Sequence, residues 1–220
     1  MEFFTCGIAG FFQTKYNISN EQTYYFLKNK LEKMKNAIKH RGPDDDDIYL
    51  SGFLNNNGFS DKTEFPNNII GGFVGSRLSI RDIKGGHQPM TRAYKNHKAT
   101  IVYNGEIYNT DYLCKMLSSF NISFETTGDT EIILYCYLVF GTDIFKELNG
   151  IFSFVIYDND TAIVVRDHIG VKPLFYYHNN REFVFSSEPK GIFAYGIKPM
   201  INSNSWCEII GLGPAHTLGN

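Results

Sequence analysis

Two tracts of the chain are apolar or small along their whole length: Gly7, Ile8, Ala9, Gly10, Phe11 and Phe12 near the start, and residues 151–157 (IFSFVIY) later on. Successive residues of a strand point to opposite faces, so a strand apolar on both must be covered above and below. Two such strands in one chain require a layered body, with helices or a second sheet on every sheet face. The remaining pattern supplies those layers. Tyr24, Leu27, Leu31, Met34 and Ile38 recur at helical spacing, predicting a helix over residues 20–39 with Ser19 and Gln22 as a capping box. A second helix carries Tyr112, Leu113, Met116 and Leu117 on one face, and a third, residues 129–140, has almost no polar side and is expected to be buried.

Strands are expected near residues 48–53, 69–78 and 99–103, and residues 55–68 read as a polar, turn-forming exposed insertion. Residues 151–157, 162–165, 174–177 and 183–185 form a run of strands separated by turn residues, including Asp158-Asn159-Asp160 and Asn179-Asn180, and predict an antiparallel meander. With helices confined to the first two-thirds, the economical fold is α+β: two stacked, mostly antiparallel sheets with helices outside them.

Composition excludes several classes. A 220-residue chain suffices for one core that buries roughly 70% of the unfolded surface. A net charge of -2 gives no broad basic face for nucleic acid or an anionic membrane. The longest apolar stretch, residues 132–140, falls far short of the ~20 residues that span a bilayer. No basic segment followed by a sustained apolar run opens the chain, so a cytoplasmic setting is the default. Cys6, Cys114, Cys136 and Cys207 are scattered without a Cys-x-x-Cys pair, which suggests free thiols rather than zinc or disulfides. The histidines are dispersed, and Asp44 to Asp47 read as a solvated acidic turn, so no metal site is expected.

Cys6 alone reads as a small core cysteine, and Asn104-Gly105 alone as a tight turn. Their neighbours change that. Cys6-Gly7-Ile8-Ala9-Gly10, His40-Arg41-Gly42-Pro43-Asp44, Arg77-Leu78-Ser79-Ile80, Gln88-Pro89-Met90, Tyr103-Asn104-Gly105-Glu106-Ile107-Tyr108-Asn109 and Gly128-Asp129-Thr130-Glu131 occur in that order. Leu148-Asn149-Gly150-Ile151-Phe152, residues 166–174 (RDHIGVKPL) and Ser186-Ser187-Glu188-Pro189-Lys190 follow. This series resembles class II glutamine amidotransferases over nearly the whole chain, and the forms around Arg41 and Asn104 resemble the asparagine synthetase branch. The resemblance implies a four-layer αββα sandwich of the N-terminal-nucleophile hydrolase type, in agreement with the layering read from pattern.

It also implies a chemistry. Hydrolysis of glutamine's side-chain amide needs a nucleophile, a base and donors for the oxyanion of the tetrahedral intermediate. In such a family Cys6 is the nucleophile, activated by its own α-amine once it is the first residue; an amine of pKa ~8 keeps a useful neutral fraction near pH 7 beside a thiol of pKa ~8.5. Asn104 and Gly105 form the oxyanion hole. Arg77 holds the carboxylate of L-glutamine, Asp129 its ammonium, and Glu106 supports that pocket. Asp129 is also expected to cap its helix. Arg41 and Gly7 support the nucleophile region, and His40 is read as a simple helix C-terminal cation. No cofactor is implied for this module.

Two departures accompany the resemblance. Residues 1–5 precede Cys6, as a propeptide, a shifted start, or the mark of an inactive module that binds glutamine without turnover. No Ser-Gly-Gly-x-Asp-Ser pyrophosphate loop occurs, so residues 6–197 read as the glutaminase domain and residues 198–220 as the start of a linker to an absent synthetase domain or partner subunit. ATP and magnesium belong to that absent part.

Overall fold

The computed structural model describes residues 6–14, 21–51, 69–77, 86–158, 161–200, 206–207 and 210–211. The expectations for residues 1–5, the Ser19 cap, the 55–68 insertion and most of the 198–220 linker lie outside the described residues.

Among the described residues, nine strands form two sheets. One has the order β2 (Asp45–Leu50), β3 (Ile69–Arg77), β1 (Gly7–Thr14), β9 (Glu182–Ser186), β8 (Phe175–His178); the other runs β4 (Met90–Tyr94), β5 (His97–Ile107), β6 (Gly150–Asp158), β7 (Thr161–Arg166). All strand pairings within them are antiparallel. The strands apolar on both faces, β1 and β6, are internal to their sheets, as their patterning requires.

Alternation sorts the side chains into layers. Ile8, Phe12, Phe73, Val102, Val155, Tyr157 and Phe185 meet between the sheets, with the Phe12 and Phe73 rings 5.3 Å apart. On the outer face of the first sheet, Ala9, Phe11, Val74 and Val184 pack under α1 (Glu21–Ile38) and α4 (Pro189–Tyr195) through Leu27, Leu31, Met34, Ile38, Ile192 and Tyr195. The outer faces of β5 and β6 lie under α2 (Thr110–Leu117) and α3 (Asp129–Phe140). The fold is therefore the α+β four-layer sandwich. α3 is buried on nearly all sides, Ile132 through Leu138 included, as its missing polar face requires.

Four expectations are corrected. The C-terminal strands do not form one meander: β6 and β7 belong to one sheet, β8 and β9 to the other. The crossing after β7 is pinned by Asp167, whose carboxylate accepts N–H bonds from Phe152, Ile169, Val171 and Lys172 at 2.9–3.2 Å. Burial alone would raise the Asp167 carboxyl, but the backbone donors of Lys172, Val171 and Phe152 outweigh it and hold it below the usual range. Helices are not confined to the first two-thirds, because α4 follows β9; its seven residues are too few to show a period. Asp45 to Asp47 open β2 instead of a solvated turn: Asp46 pairs with Lys35 at 2.9 Å, and Asp45 with His87 at 2.7 Å. Finally, the N-cap of α3 is Gly128, in extended conformation, and Asp129 is the first helical residue.

Candidate active site

Cys6 immediately precedes β1, the middle strand of its sheet. Continuing the alternation of Ile8 and Phe12 places Cys6 on the face toward the second sheet. The segment is tied at several points. Ile8 N–H donates to Ser187 Oγ at 3.0 Å, and Ser187 N–H donates back to the Ile8 carbonyl at 2.7 Å. Arg41 Nε donates to the Cys6 carbonyl at 3.2 Å, while its Nη1 donates to Glu188 Oε1 at 2.9 Å. His40 is more than a helix-end cation, since its Nε2 lies 2.9 Å from Glu188 Oε1; Lys190 Nζ lies 2.9 Å from Oε2. Burial would raise the Glu188 carboxyl, yet the bonds from Lys190, Arg41 and His40 hold it at about 2.

Arg77 closes β3 and is 93% buried, with 7% of its surface exposed. Gly7 pairs with Ser76, so one further step of the register sets Cys6 across from Arg77. Asp44 N–H donates to the Arg77 carbonyl at 3.2 Å. The backbone at Gly86 presses on the guanidinium: a Cβ there would sit 2.5 Å from Nη2, so only glycine leaves the group in place.

The second sheet contributes Asn104 and Gly105 from β5. Asn104 is 1% exposed, on the inter-sheet side with Val102, and its Nδ2 has no hydrogen-bond partner among the described residues. Gly105 is pressed against β6, where a Cβ would lie 2.3 Å from the Ile151 carbonyl oxygen. Asp129 Oδ2 accepts from Tyr103 OH at 2.6 Å and from Ile107 N–H at 3.0 Å, which fastens the start of α3 to β5. Burial pushes the Tyr103 phenol well above its ordinary value, and the charges of Asp129, Cys6 and Glu106 add to the rise. Those four residues therefore share one electrostatic neighbourhood.

Gln88 joins the same elements: its Oε1 accepts from Tyr103 N–H at 2.7 Å, and its Nε2 donates to Thr130 Oγ1 at 3.4 Å. Behind it, the fully buried Glu131 accepts from Arg92 Nε at 2.6 Å and from the Glu125 and Thr126 amides, which shapes the turn leading into Asp129. Arg92 and the bonds from Thr126 and Glu125 lower the Glu131 carboxyl against the raising effect of burial. The buried thiol of Cys136 is a contrast, pushed up to about 12 by burial with Cys114 nearby.

The structure brings Arg41 onto Cys6, gathers Asp129, Glu106 and Tyr103, and aligns Asn104 and Arg77 with the inter-sheet face. Sequence reasoning gave no role to Ser187, Glu188, Gln88 or Tyr103, although each lies inside one of the ordered motifs; adjacency within those motifs was the available signal. Among the described residues no group of three or more His, Cys, Asp or Glu side chains is placed to hold a metal. Among them, too, no helix is long and apolar enough to cross a membrane.

Residues 5–215 match the family model described as the glutamine amidotransferase domain. The chain belongs to the glutamine amidotransferase domain family. This amidotransferase domain is 36% identical to asparagine synthetase (glutamine-hydrolyzing) 3 of Bacillus subtilis (strain 168) over 217 residues, covering 97% of this chain and 32% of the relative. It is 31% identical to asparagine synthetase B (glutamine-hydrolyzing) of Escherichia coli (strain K12), over 85% of this chain and 30% of that one. The chain thus spans about a third of the length of the curated relatives it matches. The glutamine phosphoribosylpyrophosphate amidotransferase of B. subtilis, complexed with ADP and GMP, shares the fold of this amidotransferase domain. The TM-score is 0.65 at 19% identity, covering 87% of this chain and 44% of that one. A structure of the allosteric regulatory enzyme of purine biosynthesis aligns with a TM-score of 0.64 at 18% identity, covering 87% of this chain and 43% of that one.

Proposed function

We propose that this domain hydrolyses the side-chain amide of L-glutamine to glutamate and ammonia through a thioester on Cys6. Sγ attacks the amide carbon, and the tetrahedral intermediate collapses with loss of ammonia, which carries away the thiol proton. Water then cleaves the thioester and regenerates the thiol. The Cys6 α-amine relays both protons, so turnover requires that residues 1–5 be removed. Asn104 Nδ2 and the Gly105 N–H receive the oxyanion; Arg77 takes the substrate carboxylate and Asp129 its ammonium, with Glu106 at the pocket's edge. Arg41 steadies Cys6 through its carbonyl.

One observation carries the reading: a buried amide donor, Asn104 Nδ2, has no partner among the described residues and shares the inter-sheet face with Cys6. Leaving such a donor unmade costs ~1–3 kcal/mol, which is tolerated where a developing negative charge will later meet it. The ammonia acceptor in this proposal is an aspartate activated by ATP in a synthetase domain or subunit, in keeping with the names of the relatives. The scattered cysteines Cys6, Cys114, Cys136 and Cys207 suit a reducing, cytoplasmic setting.

A second reading, glutamine binding without turnover, is favoured by the residues that precede Cys6 in the sequence, which make its nitrogen a peptide nitrogen until they are removed. Intact-mass analysis coupled to a glutamate-release assay separates the two. Protein beginning at Cys6 is expected to release glutamate, and Cys6→Ala to abolish release. Protein beginning at Cys6 that neither releases glutamate nor is labelled at Cys6 by 6-diazo-5-oxo-norleucine would overturn the thioester proposal.

A further inference from the structure

Two consecutive residues, Ser187 and Glu188, reach back across most of the chain to the start of β1. Ser187 exchanges two hydrogen bonds with Ile8, at 2.7 and 3.0 Å. Glu188 reaches two residues further, to Cys6, through an intermediary, because the Arg41 guanidinium donates Nη1 to Glu188 Oε1 at 2.9 Å and Nε to the Cys6 carbonyl at 3.2 Å. A guanidinium is a rigid planar fork, so fixing one of its nitrogens fixes the direction of the others.

The carboxylate is itself immobilised. Oε1 also meets His40 Nε2, and Oε2 meets Lys190 Nζ at 2.9 Å, so both oxygens are engaged on different sides. The carboxylate therefore cannot turn away from Arg41 without abandoning another partner. Gly7 adds a steric element: its Cα hydrogen faces the Arg41 side chain, and a Cβ there would lie 3.3 Å from Arg41 Cβ. The chain from anion to nucleophile is Glu188, Arg41, Cys6 carbonyl, with Ser187 and Ile8 as a parallel tie beside it.

We propose that Glu188 is a positioning residue for Cys6, acting through Arg41. Its carboxylate sets where the guanidinium stands, and the guanidinium sets where the backbone of the nucleophile stands. The proposal rests on the glutaminase reading for its kinetic test and on the hydrogen-bond geometry for everything else. Because Glu188 does not touch the substrate-binding groups Arg77 or Asp129, its loss should act on the chemical step and not on glutamine affinity. A misplacement of about 1 Å at a reacting group can cost ~100-fold in rate.

The test uses the full domain with Cys6 as first residue. Glu188→Gln, which keeps the shape and removes the charge, is expected to lower kcat by roughly 10–100-fold with KM for glutamine within about twofold of wild type. Glu188→Asp should recover part of the loss, which a purely structural role would not require. An unaltered kcat in a folded Glu188→Gln protein overturns the proposal, as does a parallel change in KM and kcat. If Glu188→Gln does not fold, Glu188→Asp carries the test alone: lowered kcat with KM kept supports it, and unaltered kcat overturns it. Wild-type protein that releases no glutamate defeats the glutaminase reading only. Positioning is then read from iodoacetamide, as the alkylation rate of Cys6 relative to the exposed Cys207. A ratio changed by Glu188→Gln upholds the proposal, and an unchanged ratio overturns it.

Discussion

Asn104 lies directly opposite Ser153 across the β5–β6 ladder; the two are 1% and 0% exposed, and neither Asn104 Nδ2 nor Ser153 Oγ has a hydrogen-bond partner among the described residues. Opposed residues of an antiparallel pair share a face, so both atoms sit on the inter-sheet side. Asn104→Ala is expected to lower kcat for glutamine hydrolysis by ~100–1000-fold, the usual loss for one oxyanion donor. Its stability to urea should be equal to wild type or higher, since an unpaired buried donor is removed. Ser153→Ala should share the stability effect without the rate effect. Initial rates and urea midpoints of the two proteins check the prediction, and a wild-type kcat in Asn104→Ala would contradict it.

Arg77→Lys should raise KM for glutamine roughly 10–100-fold while leaving kcat within a few-fold, because an ammonium cannot reproduce a two-pronged grip worth ~1.5–3 kcal/mol per charged bond. Gly86→Ala should act in the same direction without touching the charge, since its Cβ would come 2.5 Å from Arg77 Nη2 and displace the guanidinium. Steady-state kinetics over a range of glutamine concentrations distinguishes these effects from a loss of turnover.

Acid should destabilise the protein through Glu188. Its folded pKa, about 2, lies below the ordinary carboxyl value of 4.5, so the ionised form is favoured by folding. The stabilisation is therefore complete above about pH 4.5 and is lost progressively as the pH falls toward 2. The groups that face this carboxylate are His40, Arg41 and Lys190. Melting temperatures measured across this window should fall less steeply for Glu188→Gln than for wild type; equal slopes would show that the ion cluster contributes nothing.

Glu131→Gln should cost on the order of 3–5 kcal/mol, the range for breaking a buried pair by deleting one charge. The Glu131 side chain is 0% exposed and its Arg92 partner 16% exposed, so little solvent is available to replace the lost bond. Since the same carboxylate holds the turn before Asp129, surviving folded protein should also show a raised KM for glutamine. Urea denaturation and kinetics on the same preparation test both halves.

The elements legible in the sequence were those that carry their own pattern. β1 and β6 advertise burial on two faces, and α3 shows by its missing polar side that it must be enclosed. Turn residues such as Asn179-Asn180 correctly joined β8 to β9, but a turn states only which strands are neighbours, not which sheet receives them. That choice was made by β9 pairing with β1, a contact between distant segments with no local signature. The candidate site divides the same way. Arg41, Asn104 and Asp129 were visible because each stands in a dense motif. The ties from Glu188 to Arg41 and from Ser187 to Ile8 were not, because they span 147 and 179 residues and depend on how the layers stack.

The strand that follows Cys6 has neighbours on both sides, β3 and β9, and each of these has an outer neighbour of its own, β2 and β8. Peeling away either border of the sheet still leaves β1 zipped to its immediate flanks. Amide protons in its middle should therefore exchange only when the whole body opens. Heat should silence the chemistry proposed for the Cys6 thiol and dissolve the sheet in a single event, because the strand that anchors it has no private way to come loose.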